Sequence, residues 1–234
     1  MTDSKRLLKT LNICLLLNIM NLIFTERILA DIKPDQTLGK GNSIIHKKDI
    51  NDIPSELITG GTRRGSALFH SFQRFNINSG HGGFFSNPTG VSNIIARITG
   101  SKSSNINGVL GVLGNANLFL INPNGIIFGK NAQLSVHGSF TATTADSIIF
   151  PDYEFSASQP QKIPILKIDI PIGLNFTNKP ADIIVKNDGF KIYQPKNNPG
   201  PPEFISPPPD GLSVTPGKSI SLIGGNVIFD GGVI

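Results

Sequence analysis

The sequence predicts an all-β solenoid, and three observations predict it. From Ile94 onward short apolar groups recur, at Ile94-Ile95, Ile98, Ile106, Val109-Leu110, Val112-Leu113, 118–121, 126–128, Leu134, Val136 and 148–150. Glycines punctuate them, at Gly100, Gly108, Gly111, Gly114, Gly129 and Gly138, and no helical periodicity fills the gaps. The composition agrees: 25 Gly and 17 Pro with only 16% charged residues favour tight turns over the long Ala, Leu, Glu and Lys stretches of a helical bundle. Coils that turn several corners and stack on one another need strands this short. A β-sandwich is the structural rival, but its strands are longer and its turn signals lie about 8–12 residues apart.

The stretch 115–129 organises this pattern. Its centre, Asn122-Pro123-Asn124-Gly125, is a turn with a mechanism. Pro123 presets φ for position i+1, Asn122 can hydrogen-bond forward from position i, and Gly125 relieves crowding at i+3. The flanking runs 118–121 and 126–128 are too short for helices and are apolar throughout, which reads as strands buried on both faces.

Residues 1–30 read as a secretory leader. Lys5, Arg6 and Lys9 precede a mostly apolar run over 11–24, and Ala30 ends a small-residue cleavage pattern. The run falls short of the ~20 apolar residues a spanning helix needs, and no later segment is long enough to cross a bilayer. The formal charge of +5 falls to +3 once the leader's Lys5, Arg6, Lys9 and Arg27 leave with Asp3 and Glu26. The remaining cations are scattered rather than interleaved with aromatics, so nucleic acid is not an expected partner. Cys14, the only cysteine, also lies in the leader. The mature chain is therefore expected to carry no disulfide and to remain threadable through a pore.

Residues 31–56 alternate polar and weakly apolar, with Leu38, Ile44, Ile45, Ile50 and Ile53 as anchors, and read as strands or an amphipathic cap. A glycine-rich turn at Gly60-Gly61 leads into an apolar-aromatic run through Phe72, continued by Phe75, Ile77, Phe84 and Phe85. Asn87-Pro88-Thr89-Gly90 then repeats the N-P-x-G form. The strand signal weakens over 162–185. The Pro-rich 194–209 reads as a loop thrown out from a continuous solenoid, because the rhythm resumes at 211–234. That last stretch reads as the start of a further repeat region that stops within a rung, as in a truncated or fragmentary chain.

Between residues 57 and 145 there is no Asp or Glu. Solenoid glycosidases and lyases commonly use carboxylate pairs or carboxylate-bound calcium, and this window cannot host either. The acids outside it, such as Asp146, Asp152, Glu154, Asp169 and Asp182, are isolated in sequence. His46, His70, His81 and His137 lack metal-ligand spacing. No nucleophile elbow is present, Gly39-Lys40-Gly41 is too short a match to a phosphate loop, and the sequon Asn175-Phe176-Thr177 carries little weight. No catalytic residue, cofactor or metal is expected. The window's cations include Arg63, Arg64, Arg74 and Arg97; they read either as solvated charge or as a docking surface for an acidic partner.

The succession Ile58-Thr59-Gly60-Gly61-Thr62-Arg63-Arg64-Gly65, Asn87-Pro88-Thr89-Gly90-Val91, Arg97-Ile98-Thr99-Gly100, the stretch 115–129 and Gly138-Ser139-Phe140-Thr141-Ala142-Thr143-Thr144-Ala145 resembles the filamentous haemagglutinin N-terminal domain. This family is also called the haemagglutination activity or two-partner secretion domain. The resemblance is strong over about 31–150 and looser to 234. It implies a right-handed parallel β-helix with an N-terminal cap and extra-helical hairpins or loops over 31–234. It further implies a non-enzymatic secretion module that reaches the periplasm by its leader. An Omp85-type outer-membrane β-barrel transporter with periplasmic domains would recognise the chain and pass it to the cell surface, where it folds.

Family members often continue into adhesin or haemagglutinin repeats, which makes surface glycans or proteins of a host or neighbouring cell further expected partners. The family's N-P-N-G signature falls on Asn122, Pro123, Asn124 and Gly125. A second family signature, N-P-N-L, is absent, and Asn87-Pro88-Thr89-Gly90 is the nearest stretch. Asn122 and Asn124 are expected to close a corner of the helix. Two other readings stand beside this one: a carbohydrate-active β-helix enzyme, and a remnant without independent function.

Overall fold

A computed structural model describes residues 30–161, 171–177, 179–189 and 211–234, together with the backbone of 192–193 and 203–204. The expected leader therefore lies outside the described residues except for Ala30, which packs into the core beside Ile32. The Pro-rich 194–209 lies outside them too, except for the backbone of 203–204.

The chain begins with β1 (Asp31–Pro34), a single 3₁₀ turn (Gly39–Gly41), β2 (Ser43–Ile50) and β3 (Ile53–Gly60). Asn51 and Asp52 join β2 to β3 with φ of 51° and 61°, the left-handed pair a two-residue hairpin turn requires, and both residue types tolerate it. After β4 (Thr62–Arg64) and β5 (Ala67–Asn76) the chain winds through β6 (Gly82–Ser86), β7 (Asn93–Ile98), β8 (Ser104–Ile106) and β9 (Val109–Leu113). Next come β10 (Asn117–Ile121), β11 (Ile126–Phe128), β12 (Gln133–Ser135) and β13 (Phe140–Thr143).

An excursion follows, made of β14 (Ser147–Phe150), β15 (Tyr153–Ser156) and β16 (Gly173–Asn175). The path then returns through β17 (Ile183–Lys186), a short antiparallel pair β18 (Ile192–Tyr193) and β19 (Glu203–Phe204), and finally β20 (Ile220–Ile223) and β21 (Val227–Asp230).

Three sheets line the coils of this parallel β-helix. One runs β1-β5-β7-β10-β13-β20 with β4 beside β5, the second β12-β9-β6-β3-β2, and the third β21-β17-β11-β8. Ile94, Leu118 and Phe140 sit directly above one another, so successive coils take 24 and 22 residues. Three corners in that length leave room only for strands of three to six residues, which is why the apolar groups in the sequence are so short. Ile58, Phe85 and Val112 stack on the second side, and Ile106, Phe128 and Val185 on the third. All of these point into one continuous core.

The N-terminal end is closed by antiparallel strands, β1 against β5 and β2 against β3. The excursion β14–β16 is antiparallel as well. It carries Ile148, Phe150, Phe155 and Ala157 onto the outer face of the first sheet, where they form a second core with Leu38, Ala67, Phe69, Ile95 and Ile121. The middle of the first sheet, along β5, β7 and β10, is therefore covered on both sides, and Ile94-Ile95 and 118–121 read as continuous apolar runs instead of alternating.

Candidate recognition surface around the Asn122 corner

Residues 122–125 join β10 to β11 and so close the corner between the first and third sheets. The N–H of Gly125 donates to the carbonyl of Asn122 at 3.1 Å, and Gly125 holds φ at +108°, a conformation that penalises any side chain. Asn122 is 0% exposed. Its Nδ2 donates to the Lys102 carbonyl and to Ser104 Oγ, both at 3.0 Å, which ties it to the coil below. Its Oδ1 accepts the N–H of Asn124 at 3.0 Å, and its own N–H donates to the Thr143 carbonyl in the coil above. Asn124 Nδ2 reaches back to the Gly100 carbonyl at 2.9 Å. The Asn122 side chain thus joins its own coil to the one below, and its backbone N–H adds the coil above, while half-buried Pro123 and exposed Asn124 form the outward side of the turn.

The second N-P-x-G turn closes a different corner. Residues 87–90 lead from β6 to β7, between the second and first sheets, so the two turns share local chemistry without being counterparts. The Asn87 amide, oriented so that its nitrogen meets an acceptor, donates to the Val91 carbonyl at 3.1 Å. Its oxygen accepts from the N–H groups of Asn115 and Ala116 at 3.2 and 3.1 Å. Pro88, Thr89 and Gly90 are exposed.

The four arginines do not form one basic patch. Arg63 Nη1 and Nη2 donate to the carbonyls of Thr89 and Gly90 at 2.9 and 3.1 Å, and Nε to that of Gly65 at 3.0 Å, so it clamps the second turn. Arg64 Nη1 donates to the Arg63 carbonyl at 2.8 Å, and Arg74 pairs with Asp31 at 2.9 Å. Arg97, read from the sequence as solvated or docking charge, is instead 0% exposed. Its place on β7 puts it on the outer face of the first sheet, and the excursion covers that face.

Beside the Asn122 corner lies a cleft of about 410 Å³ lined by Pro123, Asn124, Thr99, Thr144, Ala157 and Lys179. A second cleft of about 310 Å³ adjoins it through Asp146 and Ser158, and includes Glu154, Tyr153, Asn175 and Thr177. Asp146 Oδ2 accepts the N–H and hydroxyl of Thr177, both at 2.7 Å. Glu154 Oε2 accepts from Ser147 Oγ at 2.9 Å and Asn175 Nδ2 at 3.3 Å. Among the described residues no three His, Cys, Asp or Glu side chains are grouped to hold a metal ion.

Sequence reasoning missed these clefts because their carboxylates lie outside the regular coils. It also missed two buried titratable groups of the first coil. Glu56, only 6% exposed, is pushed up to about 7 chiefly by burial, with Asp31 adding to the effect. His70 is 0% exposed and burial lowers it to about 3; its Nδ1 lies 2.9 Å from Ser43 Oγ.

The model of the TPS secretion domain family matches residues 30–234. The chain belongs to the two-partner secretion domain family. No curated protein matches it. Membership makes this TPS domain a two-partner secretion module, and implies an outer-membrane transporter as its partner and secretion across that membrane. Among the described residues no helix is long and apolar enough to cross a membrane.

Proposed function

We propose that this TPS domain serves as a non-enzymatic secretion address. The periplasmic domains of an Omp85-type barrel recognise it, and the chain crosses the barrel extended and stacks into its β-helix at the cell surface. It there nucleates the coils of an adhesin or haemagglutinin-like exoprotein whose targets are surface glycans or proteins. The observation that supports this reading best is the Asn122 corner. Its inward side chain and backbone N–H together tie three coils, while half-buried Pro123 and exposed Asn124 line a cleft.

Coil-to-coil bonds link residues some two dozen positions apart, so each coil finds its template in the coil that precedes it. Without a disulfide in residues 31–234, nothing covalent stops the chain from being drawn through a pore. The exposed sides of the two N-P-x-G turns, at 123–124 and 88–90, are the surfaces we assign to recognition, with Arg63 acting indirectly by holding the second.

Co-expression with a two-partner barrel transporter tests the reading. The chain should appear in the medium only when the transporter is present, and transporter-independent release overturns it. Incubating purified residues 31–234 with neutral and acidic polysaccharides separates it from the carbohydrate-active alternative: chain cleavage that Glu154→Gln abolishes would establish the enzyme instead.

A further inference from the structure

Arg97 is a fully buried cation that, among the described residues, pairs directly with no carboxylate. Its Nε donates to Ser71 Oγ at 2.9 Å and its Nη2 to Thr37 Oγ1 at 2.9 Å. Each of those hydroxyls has one proton, and each gives it to Asp35: Ser71 Oγ to Oδ2 at 2.7 Å, Thr37 Oγ1 to Oδ1 at 2.7 Å. Thr99 Oγ1 adds a third hydroxyl bond to Oδ2 at 2.6 Å. Burial acts to raise the Asp35 carboxyl, but the hydrogen bonds from Thr99, Thr37 and Ser71 outweigh it and hold the group below its usual range. The pair is therefore ionised and compensated through two hydroxyl relays.

The other side of the guanidinium belongs to the excursion. Nη1 donates to the Ser156 carbonyl at 2.8 Å, Nη2 to the Gln161 carbonyl at 3.2 Å, and the Phe155 ring lies 4.2 Å from Cζ. These partners stand 59 and 64 positions after Arg97 or, for Thr37, 60 before it. Residues from the cap, the coils and the excursion thus meet on one side chain. A buried guanidinium missing one set of partners is strongly unfavourable, so neither half of the shell is stable around it without the other. The same excursion covers Phe69, Ile95 and Ile121, which would otherwise face water.

We propose that Arg97 is an assembly checkpoint: it couples the N-terminal cap to the excursion, so that the cap locks only once the chain through residue 161 has been delivered. For export, the consequence rests on the reading that the chain crosses the outer membrane extended. A partly delivered domain stays unlocked and can still be drawn through the barrel.

Hydrogen exchange on residues 31–234 tests the coupling without any transporter, so its outcome is independent of the export reading. In Arg97→Met, amides of 33–38 and of 147–157 should both lose protection at least tenfold, while 117–121 at the centre of the first sheet keeps its own. Thr37→Val, a milder change in the cap, should loosen 147–157 at least threefold. Pulse labelling during refolding should show the cap and the excursion becoming protected in the same phase. Loss confined to one segment, uniform loss across all coils, no loss at all, or a cap protected before the excursion overturns the proposal.

Discussion

Replacing Asn122 by Ala removes the two Nδ2 bonds to the Lys102 carbonyl and Ser104 Oγ, and the Oδ1 bond that receives the Asn124 N–H. Ser104 is 0% exposed, so its hydroxyl loses a partner that water cannot easily replace. A typical bond contributes about 1 kcal/mol and an orphaned buried group costs about 1–3 kcal/mol, so the change should cost about 3 kcal/mol in all. For a domain of this size that lowers Tm by roughly 6–12 °C. Asn124→Ala mainly forfeits the 2.9 Å bond to the Gly100 carbonyl at an exposed site, and should lower Tm by less than about 3 °C. Thermal unfolding of residues 31–234, followed by circular dichroism beside an export assay, measures both. An Asn122→Ala domain that melts within a degree of the parent refutes the idea that this amide joins the coils. Normal melting with abolished export would place the turn in direct contact with the transporter.

Gly125→Val should lower stability by about 1–3 kcal/mol, because φ of +108° suits no β-branched residue, and export should fall with it; urea unfolding checks the first effect. Glu56→Gln should stabilise the domain above pH 7. The folded carboxyl binds its proton up to about pH 7, so wild-type stability falls as pH rises from about 4.5 to 7, and the variant should flatten that slope, by at most about 3 kcal/mol. His70→Phe should flatten the opposite slope. The folded imidazole stays neutral down to about pH 3, so wild-type stability is lost as pH falls from 6.5 toward that value. Urea midpoints at a series of pH values resolve the two.

The coil pattern was legible because each strand is short, apolar and bounded by a residue with a special backbone. Pro123 and Gly125 announced the Asn122 corner, and the structure puts a corner there. Which corner a turn closes was not legible: Asn87-Pro88-Thr89-Gly90 has the same local chemistry, yet its corner is set by the register of whole coils. Arg97 reads as surface in any linear pattern, since charges are rarely buried and its partners lie 26 to 64 positions away. The resemblance implied extra-helical hairpins or loops but not where they fall. Ile148-Ile149-Phe150 has the composition of another rung, and only its antiparallel partners at 153–156 and 173–175 make it a separate sheet. Burial of 118–121 on both faces was anticipated from its sequence, whereas the segment that covers the outer face there was not located.

Central to the proposed export is that the chain crosses the outer membrane before its coils have stacked. Lys33 and Arg74 are register partners across β1 and β5, both exposed, and the natural residues 31–234 contain no cysteine. Lys33→Cys with Arg74→Cys should let the oxidising periplasm staple the cap to the first coil. The yield of this double variant in the medium, measured with and without a membrane-permeant reductant, tests the claim directly. Retention in the periplasm when oxidised, with export restored by reduction, is the expected result; equal export of the stapled chain would contradict it.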